Sequence, residues 1–216
     1  MSDEHRPFAL PRFYPIIDAS LLARRGIEVG SFAHDLKDAG ARLIQYRDKD
    51  GTMEQVVRNV ARLDVILLGS ECSLILNDYL GVAAHTEFDG VHLGQQDLSP
   101  KVARELLGAD RIIGVSTHNE EQVVAADAGC ADYIAIGPVF ATSSKADVDP
   151  VIGLEGVRRL RSLTRKPLVA IGGITRANCL AVIEAGADSV AVISELLPLT
   201  GESARKVAED FLRLLR

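Results

Sequence analysis

The stretch Ala39-Gly40-Ala41-Arg42-Leu43-Ile44-Gln45-Tyr46-Arg47-Asp48-Lys49 carries the plan of the chain. Glycine suits the left-handed residue that ends a helix, the apolar run after it reads as a strand, and the strand closes on an amide and charges. The first half of that pattern returns at Ala128-Gly129-Cys130-Ala131-Asp132 and at Ala185-Gly186-Ala187-Asp188, each ahead of a strand-like run. The second half returns as Asn77-Asp78, Asp97, Ser116-Thr117-His118 and Thr142-Ser143-Ser144-Lys145, each at or just after the end of an apolar run. One polar strand end could be accident. A succession of them describes a polar mouth on an apolar scaffold, which is where α/β proteins bind substrates.

Strand-like runs and helix-length amphipathic segments alternate along the chain. Strands are expected at 13–18, 42–47, 73–78, 90–94, 112–116, 133–137, 168–173 and 189–194. Helical patterns fall at 31–39, 52–68, 80–85, 100–107, 120–128, 154–163, 177–185 and 203–215. In the longest, Val56, Val60, Leu63 and Leu67 recur at helical spacing behind Thr52, a good N-cap residue. In the last, Ala204, Val207, Ala208, Phe211, Leu212 and Leu215 share one face. The strands are nearly continuous apolar runs, as in a parallel sheet covered on both faces. Eight such units in 216 residues predict a single-domain α/β fold, a (β/α)8 TIM barrel over 13–216, after a flexible lead-in at 1–12. The alternative is an open doubly wound sheet. No Gly-x-Gly-x-x-Gly follows Ile16-Ile17-Asp18, and an open sheet would scatter the polar strand ends that a closed barrel gathers around one mouth.

Composition narrows the class of function. Hydrophobic residues at 47% and charged residues at 25% are ordinary for a soluble globular domain. A net charge of −6 argues against a nucleic-acid binder and still allows a local basic pocket for a small anionic substrate. Cys72, Cys130 and Cys179 lie far apart without Cys-x-x-Cys spacing and read as reduced thiols. No apolar run approaches a membrane span, and residues 1–12 lack the apolar centre of a secretion signal, so a cytoplasmic setting is expected. A homodimer is compatible with the sequence, and nothing in it specifies one.

Alternation along the second strand puts Gln45, Arg47 and, if the strand runs on, Lys49 on one face, a claw sized for phosphate. An isolated Arg-Asp-Lys is usually a solvated loop. Beside the other strand ends it reads as an anion site. Asp78 closes the third strand and Asp97 follows the fourth, so the two carboxylates can share a hard cation; Mg2+ takes one or two carboxylates plus substrate phosphate oxygens. A helix cap for Asp78 and a turn for Asp97 fit each residue equally well in isolation. Gly172-Gly173 and Ile193-Ser194 end the seventh and eighth strands, where loops of this fold bind phosphate through backbone N–H groups. The segment 137–152, carrying Thr142, Ser144 and Lys145, suits closure over an anion. His92, in mid-strand, is expected to be structural, and so on balance is His118, although its spacing from Ser116 can turn it to the mouth.

With these residues the chain resembles the thiamine phosphate synthases, a family of (β/α)8 barrels. The likeness runs from Phe13 to Leu197. It rests on Gln-x-Arg-x-Lys (45–49), Asn77-Asp78, Asp-Gly-Val-His-Leu-Gly-Gln-x-Asp (89–97), Gly-x-Ser-x-His (114–118), Gly-Pro-Val-Phe-x-Thr-x-Ser-Lys (137–145), Gly-Gly-Ile (172–174) and Ser194. The family joins 4-amino-5-hydroxymethyl-2-methylpyrimidine diphosphate to a thiazole phosphate, plain or carboxylated, giving thiamine phosphate and pyrophosphate with the help of Mg2+. The resemblance implies that Gln45, Arg47, Lys49, Asn77 and Lys145 hold the pyrimidine diphosphate. It implies that Asp78 and Asp97 carry Mg2+, and that Ser116, Thr142, Ser144, Gly173, Ile193 and Ser194 position the thiazole phosphate and the loop around it. No protein nucleophile is implied. Tyr46 stands where Leu is common, Ser144 where Thr is, and Tyr79 where Arg is. The neighbouring reading, a thiazole tautomerase on the same barrel, needs no diphosphate claw. A sugar-phosphate epimerase would need an acid/base pair that is not evident, and a silent binding barrel would have lost metal carboxylates or cations that are all present here.

Overall fold

A computed structural model of the chain describes residues 9–86, 88–142, 150–197 and 201–216. Its strands are β1 (Phe13–Asp18), β2 (Leu43–Arg47), β3 (Ser73–Asn77), β4 (Gly90–Leu93), β5 (Ile112–Thr117), β6 (Tyr133–Ile136), β7 (Leu168–Ile171) and β8 (Ser189–Val192). They pair in parallel in chain order, and β1 returns to pair with β8, closing the barrel. The helices are α1 (Ala19–Arg24), α2 (Val29–Ala39), α3 (Met53–Leu67), α4 (Leu80–Ala83), α5 (Pro100–Leu107), α6 (Glu120–Ala128), α7 (Gly153–Arg161), α8 (Cys179–Glu184) and α9 (Ala204–Leu214), with a 3-10 turn at Ser194–Leu196. The expected strands and helices are all present, with ends shifted by a few residues. Of the expected 1–12 lead-in, residues 1–8 lie outside the described residues; the Arg12 carbonyl accepts the Val190 N–H at 2.9 Å.

Period-2 alternation sorts each strand into an inner and an outer set. The inner set, including Tyr14, Ile16, Leu43, Ile75, Tyr133, Val169 and Ala191, fills the barrel. The outer set packs beneath the helices in the larger core, with Ile17, Ile44, Leu76, Ile134 and Val190 among its members. Thr52 caps α3 as expected, in a reciprocal capping box with Gln55, and Val56, Val60, Leu63 and Leu67 are the buried face.

Two local outcomes differ from the sequence reading. Helix α1 was not anticipated. Asp18 ends β1 and its carboxylate accepts the Leu21 N–H at 2.9 Å, so a helix too short to show a periodic signal starts without a loop. The three Ala-Gly joints are also not alike. Gly40 and Gly186 are left-handed, with φ of 98° and 113°, but Gly129 has φ −88°. Its joint carries one more residue, Cys130, ahead of Ala-Asp, so the chain reverses over a longer path and needs no left-handed residue.

The base of the barrel is pinned by a repeated aspartate. Asp89, Asp132 and Asp188 each precede a strand and each accept an N–H from the first or second residue of the strand before it: Leu74 at 2.7 Å, Ile113 at 2.7 Å and Leu168 at 2.8 Å. Arg104 and Arg161 then pair with Asp132 and Asp188. These latches stand at the N-terminal ends of the strands and leave the C-terminal ends free to carry chemistry.

Candidate active site

Every strand contributes inner residues to one cavity at the C-terminal side of the barrel, among them Tyr14, Gln45, Asn77, His92 and Ser116. Four of these side chains and Tyr133 form one hydrogen-bonded chain inside the barrel. Gln45 Nε2 donates to the Tyr14 hydroxyl at 3.0 Å, and the Tyr14 and Tyr133 hydroxyls meet at 2.9 Å. His92 bridges the rest, with Nδ1 2.9 Å from the Tyr133 hydroxyl and Nε2 2.8 Å from Ser116 Oγ. Burial pushes the Tyr14 and Tyr133 phenols well above their usual range, so both remain neutral. Room for the Tyr133 ring comes from Gly114, its register partner on β5: a Cβ there would lie 2.0 Å from Tyr133 Cζ.

The charged groups form the rim. Arg47 lines the cavity and is ion-paired with Asp18, its register partner on β1. Lys49, just beyond β2, pairs with Asp78. Asp78 has a left-handed backbone (φ 70°) and donates its N–H to the His92 carbonyl at 2.9 Å, which turns the side chain out of β3 toward the rim. It does not cap α4, whose N-cap is Tyr79. Asp97 accepts the Gly94 N–H at 2.7 Å and is near enough for its charge to act on Asp78. Burial raises the Asp78 pKa first, the Lys49 contact opposes this, and the Asp97 carboxylate raises it further. Two adjacent carboxylates with a lysine ammonium on one of them make a place where positive charge is favoured.

Gly172 and Gly173 leave β7 with φ of 102° and 62°. Their missing side chains admit the segment after β6: a Cβ on Gly172 would stand 2.6 Å from Pro138, and one on Gly173 2.5 Å from the Ala141 carbonyl. The pair is therefore more than a tight turn. It lets two mouth loops touch, and Gly173, Ile193, Ser194 and Thr142 all line the cavity. Behind them Arg176 ties the β7 loop to the β8 side through Glu195, Glu202 and Asp210. Ser144 and Lys145 lie outside the described residues.

The structure thus brings Gln45, Arg47, Asn77, Ser116, Thr142, Gly173, Ile193 and Ser194 to one cavity, with Asp18 paired to Arg47 and Lys49 to Asp78 around its mouth. His92 and His118 differ from expectation in that both line the cavity. His118 Nδ1 is 2.9 Å from the Gly137 carbonyl, so it serves a backbone partner and the cavity wall together. Sequence reading missed Tyr14, Tyr133 and Asp18. The available signal was strand phase: Tyr14 and Asp18 alternate with Ile16, and Tyr133 with Ala135, on the inward side.

A closed parallel barrel whose C-terminal face gathers paired cations and carboxylates around one cavity defines an α/β-barrel enzyme. A family model, thiamine monophosphate synthase, matches residues 13–196, and the chain belongs to that family. It is 47% identical over 208 residues to a thiamine-phosphate synthase of Koribacter versatilis, covering 95% of this chain and 96% of that protein. A thiamine-phosphate synthase of Methanosarcina barkeri is 36% identical over 93% of this chain and 91% of its own length. Among solved structures, a thiamine phosphate pyrophosphorylase from Pyrococcus furiosus superposes with a TM-score of 0.81 at 32% identity, covering 94% of this chain and 95% of that one. More distant barrels, such as a tryptophan synthase of Mycobacterium tuberculosis (TM-score 0.67, 12% identity), share the fold alone.

Proposed function

We propose that the chain condenses 4-amino-5-hydroxymethyl-2-methylpyrimidine diphosphate with 4-methyl-5-(2-phosphooxyethyl)thiazole, or its carboxylated form, releasing thiamine phosphate and pyrophosphate. The observation that carries this reading is the Lys49–Asp78–Asp97 group at the mouth, beside a cavity that also holds Arg47 and the amide of Gln45. A tautomerase has no use for that cluster. In this reading Gln45 and Asn77 meet the pyrimidine, Arg47, Lys49 and Lys145 its diphosphate, and Ser116, Thr142, Ser144, Gly173, Ile193 and Ser194 the thiazole phosphate.

The donor set fits Mg2+. Two carboxylates completed by substrate oxygens make the hard, all-oxygen set that Mg2+ takes; among the described residues no group of three or more His, Cys, Asp or Glu side chains could hold a metal by itself. Asp78 and Asp97 would hold the ion, which when bound neutralises charge on the diphosphate oxygens. The carbon–oxygen bond to the diphosphate breaks with its electron pair leaving on oxygen. The thiazole nitrogen lone pair then forms the new carbon–nitrogen bond to the pyrimidine methylene, so no protein nucleophile enters. Charge grows on the leaving group as that bond breaks, so Arg47, Lys49 and Lys145 stabilise the transition state more than the ground state. The segment after β6 keeps water from the cationic methylene.

Three free cysteines suit a reducing, cytoplasmic setting, and among the described residues no helix is long and apolar enough to cross a membrane. The test is pyrophosphate release and thiamine phosphate formation from the two substrates, with Mg2+ and with EDTA. Equal, metal-dependent amounts of both products are expected. Tautomerisation of the carboxythiazole phosphate without condensation would overturn the reading.

A further inference from the structure

The polar chain inside the barrel has a direction. With Gln45 Nε2 donating to it, the Tyr14 hydroxyl has its one proton available for the Tyr133 oxygen. In that arrangement Tyr133 donates to His92 Nδ1, and the tautomer with hydrogen on Nε2 donates to Ser116 Oγ. Two groups are left over at the ends. Gln45 retains its amide oxygen, to which no described residue donates, and Ser116 retains its hydroxyl proton; both residues line the cavity. At 3% exposure Gln45 has little water to compensate a wrong choice of partner.

A lone buried glutamine can turn its amide over and present either face. Here the Tyr14 hydroxyl engages the amide nitrogen, and the rest of the chain holds Tyr14. The rings are themselves fixed: Tyr14 and Tyr133 meet edge-on at 6.0 Å between centroids, and Tyr133 stacks on His92 at 5.6 Å. We propose that Tyr14, Tyr133 and His92 are positioning residues that lock the Gln45 amide with its oxygen toward the substrate, so that the site selects a heteroaromatic ring bearing an amino group over the same ring bearing an oxo group. This rests on the assignment of the pyrimidine diphosphate to the Gln45 side of the cavity. At the other end, the Ser116 proton is offered to an acceptor, as suits the thiazole phosphate.

The test compares kcat/KM for the 4-amino pyrimidine diphosphate with that for its 4-oxo analogue in the wild type, Tyr14→Phe and Tyr133→Phe, each checked by thermal melting. The wild type is expected to favour the amino ring strongly. In Tyr14→Phe the Gln45 amide is free to turn, and the amino/oxo ratio falls about tenfold or more. Tyr133→Phe, one bond further away, gives a smaller fall in the same direction, and carries the test alone should Tyr14→Phe not fold. A merely structural role would lower both rates together and leave the ratio unchanged, and that result in folded variants overturns the proposal while leaving the functional reading intact. Absence of thiamine phosphate from the wild type with the 4-amino ring overturns the functional reading and this one with it.

Discussion

Arg47 and Asp18 are register partners at the C-terminal ends of β2 and β1, and their side chains form an ion pair at the cavity wall, with 15% and 5% of the side chains exposed. Asp18 serves two structures at once, since its other carboxylate oxygen caps α1 at Leu21. The substitution Asp18→Asn keeps a capping acceptor and removes the charge that orients Arg47. The KM for pyrimidine diphosphate should rise about tenfold, the loss of one hydrogen-bonded contact. Asp18→Ala should show the same KM and an additional loss of about 1 kcal/mol from the missing cap. Steady-state kinetics and urea unfolding of the two variants check this. A KM that moves only in Asp18→Ala would place the effect in the helix cap.

Asp78 and Asp97 meet at the rim, and a carboxylate pair completed by substrate oxygens should fail when either member is removed. Asp78→Ala and Asp97→Ala are expected to lower turnover by roughly two orders of magnitude or more, with far-UV spectra unchanged. Lys145→Ala should do the same through the leaving group. Near-normal pyrophosphate release by any of these variants at saturating Mg2+ and substrate would remove that residue from the site.

Gly114 exists as glycine because Tyr133 occupies the space of its Cβ. Gly114→Ala should destabilise the barrel by about 1–3 kcal/mol, the usual penalty of overpacking, and should disturb the Tyr133 hydroxyl. In a Tyr133→Ala background the same substitution should cost much less. A double-mutant cycle by urea unfolding measures the coupling, and simple additivity would contradict the contact.

Asp132 acts at the opposite end. Its carboxylate takes the Ile113 N–H and the Arg104 guanidinium, so Asp132→Ala strands a strand-end donor. A loss of about 1–3 kcal/mol in stability with KM values unchanged is expected. A large rise in either KM would show that the latch reaches the mouth.

The Arg176 cluster should make stability depend on acid. Its guanidinium holds the Glu202 carboxyl below the usual range, and Lys206 and Arg176 hold Asp210 below it as well. A carboxylate depressed in the folded state stabilises above its unfolded pKa and loses that contribution as pH falls through the folded one. The melting-temperature gap between wild type and Arg176→Met should thus be full near neutrality and close as pH drops below about 4. Glu195 and Glu202 are partly exposed while Asp210 is buried, so added salt should narrow the gap in part. A gap that is constant with pH would assign the effect to packing of the arginine stem.

Much of this was legible from local pattern. Strand phase in Leu43–Arg47 placed Gln45 and Arg47 on one face, and both line the cavity. What escaped was any group whose meaning lies in a partner far along the chain. Tyr14 and Tyr133 are 119 residues apart and share a hydrogen bond, and nothing near either one announces the other. His92 looked like a core residue because burial and its apolar neighbours are what the sequence displays. That its two nitrogens join β5 to β6 is a property of the closed barrel.

The sequence by itself determined the repeating βα unit, the Thr52 cap of the longest helix, the shared face of Gln45 and Arg47 and the set of polar residues at the strand ends. Those follow from short-range physics: backbone sterics, periodicity and capping act within a few residues. Only the tertiary structure decided which of those residues meet. Parallel register pairs Arg47 with Asp18 and Lys49 with Asp78, and closing β1 against β8 converts eight separate strand ends into one mouth and buries a chain of tyrosines and histidine inside the barrel. That choice depends on strand register and on burial inside the barrel, which no short stretch of sequence contains.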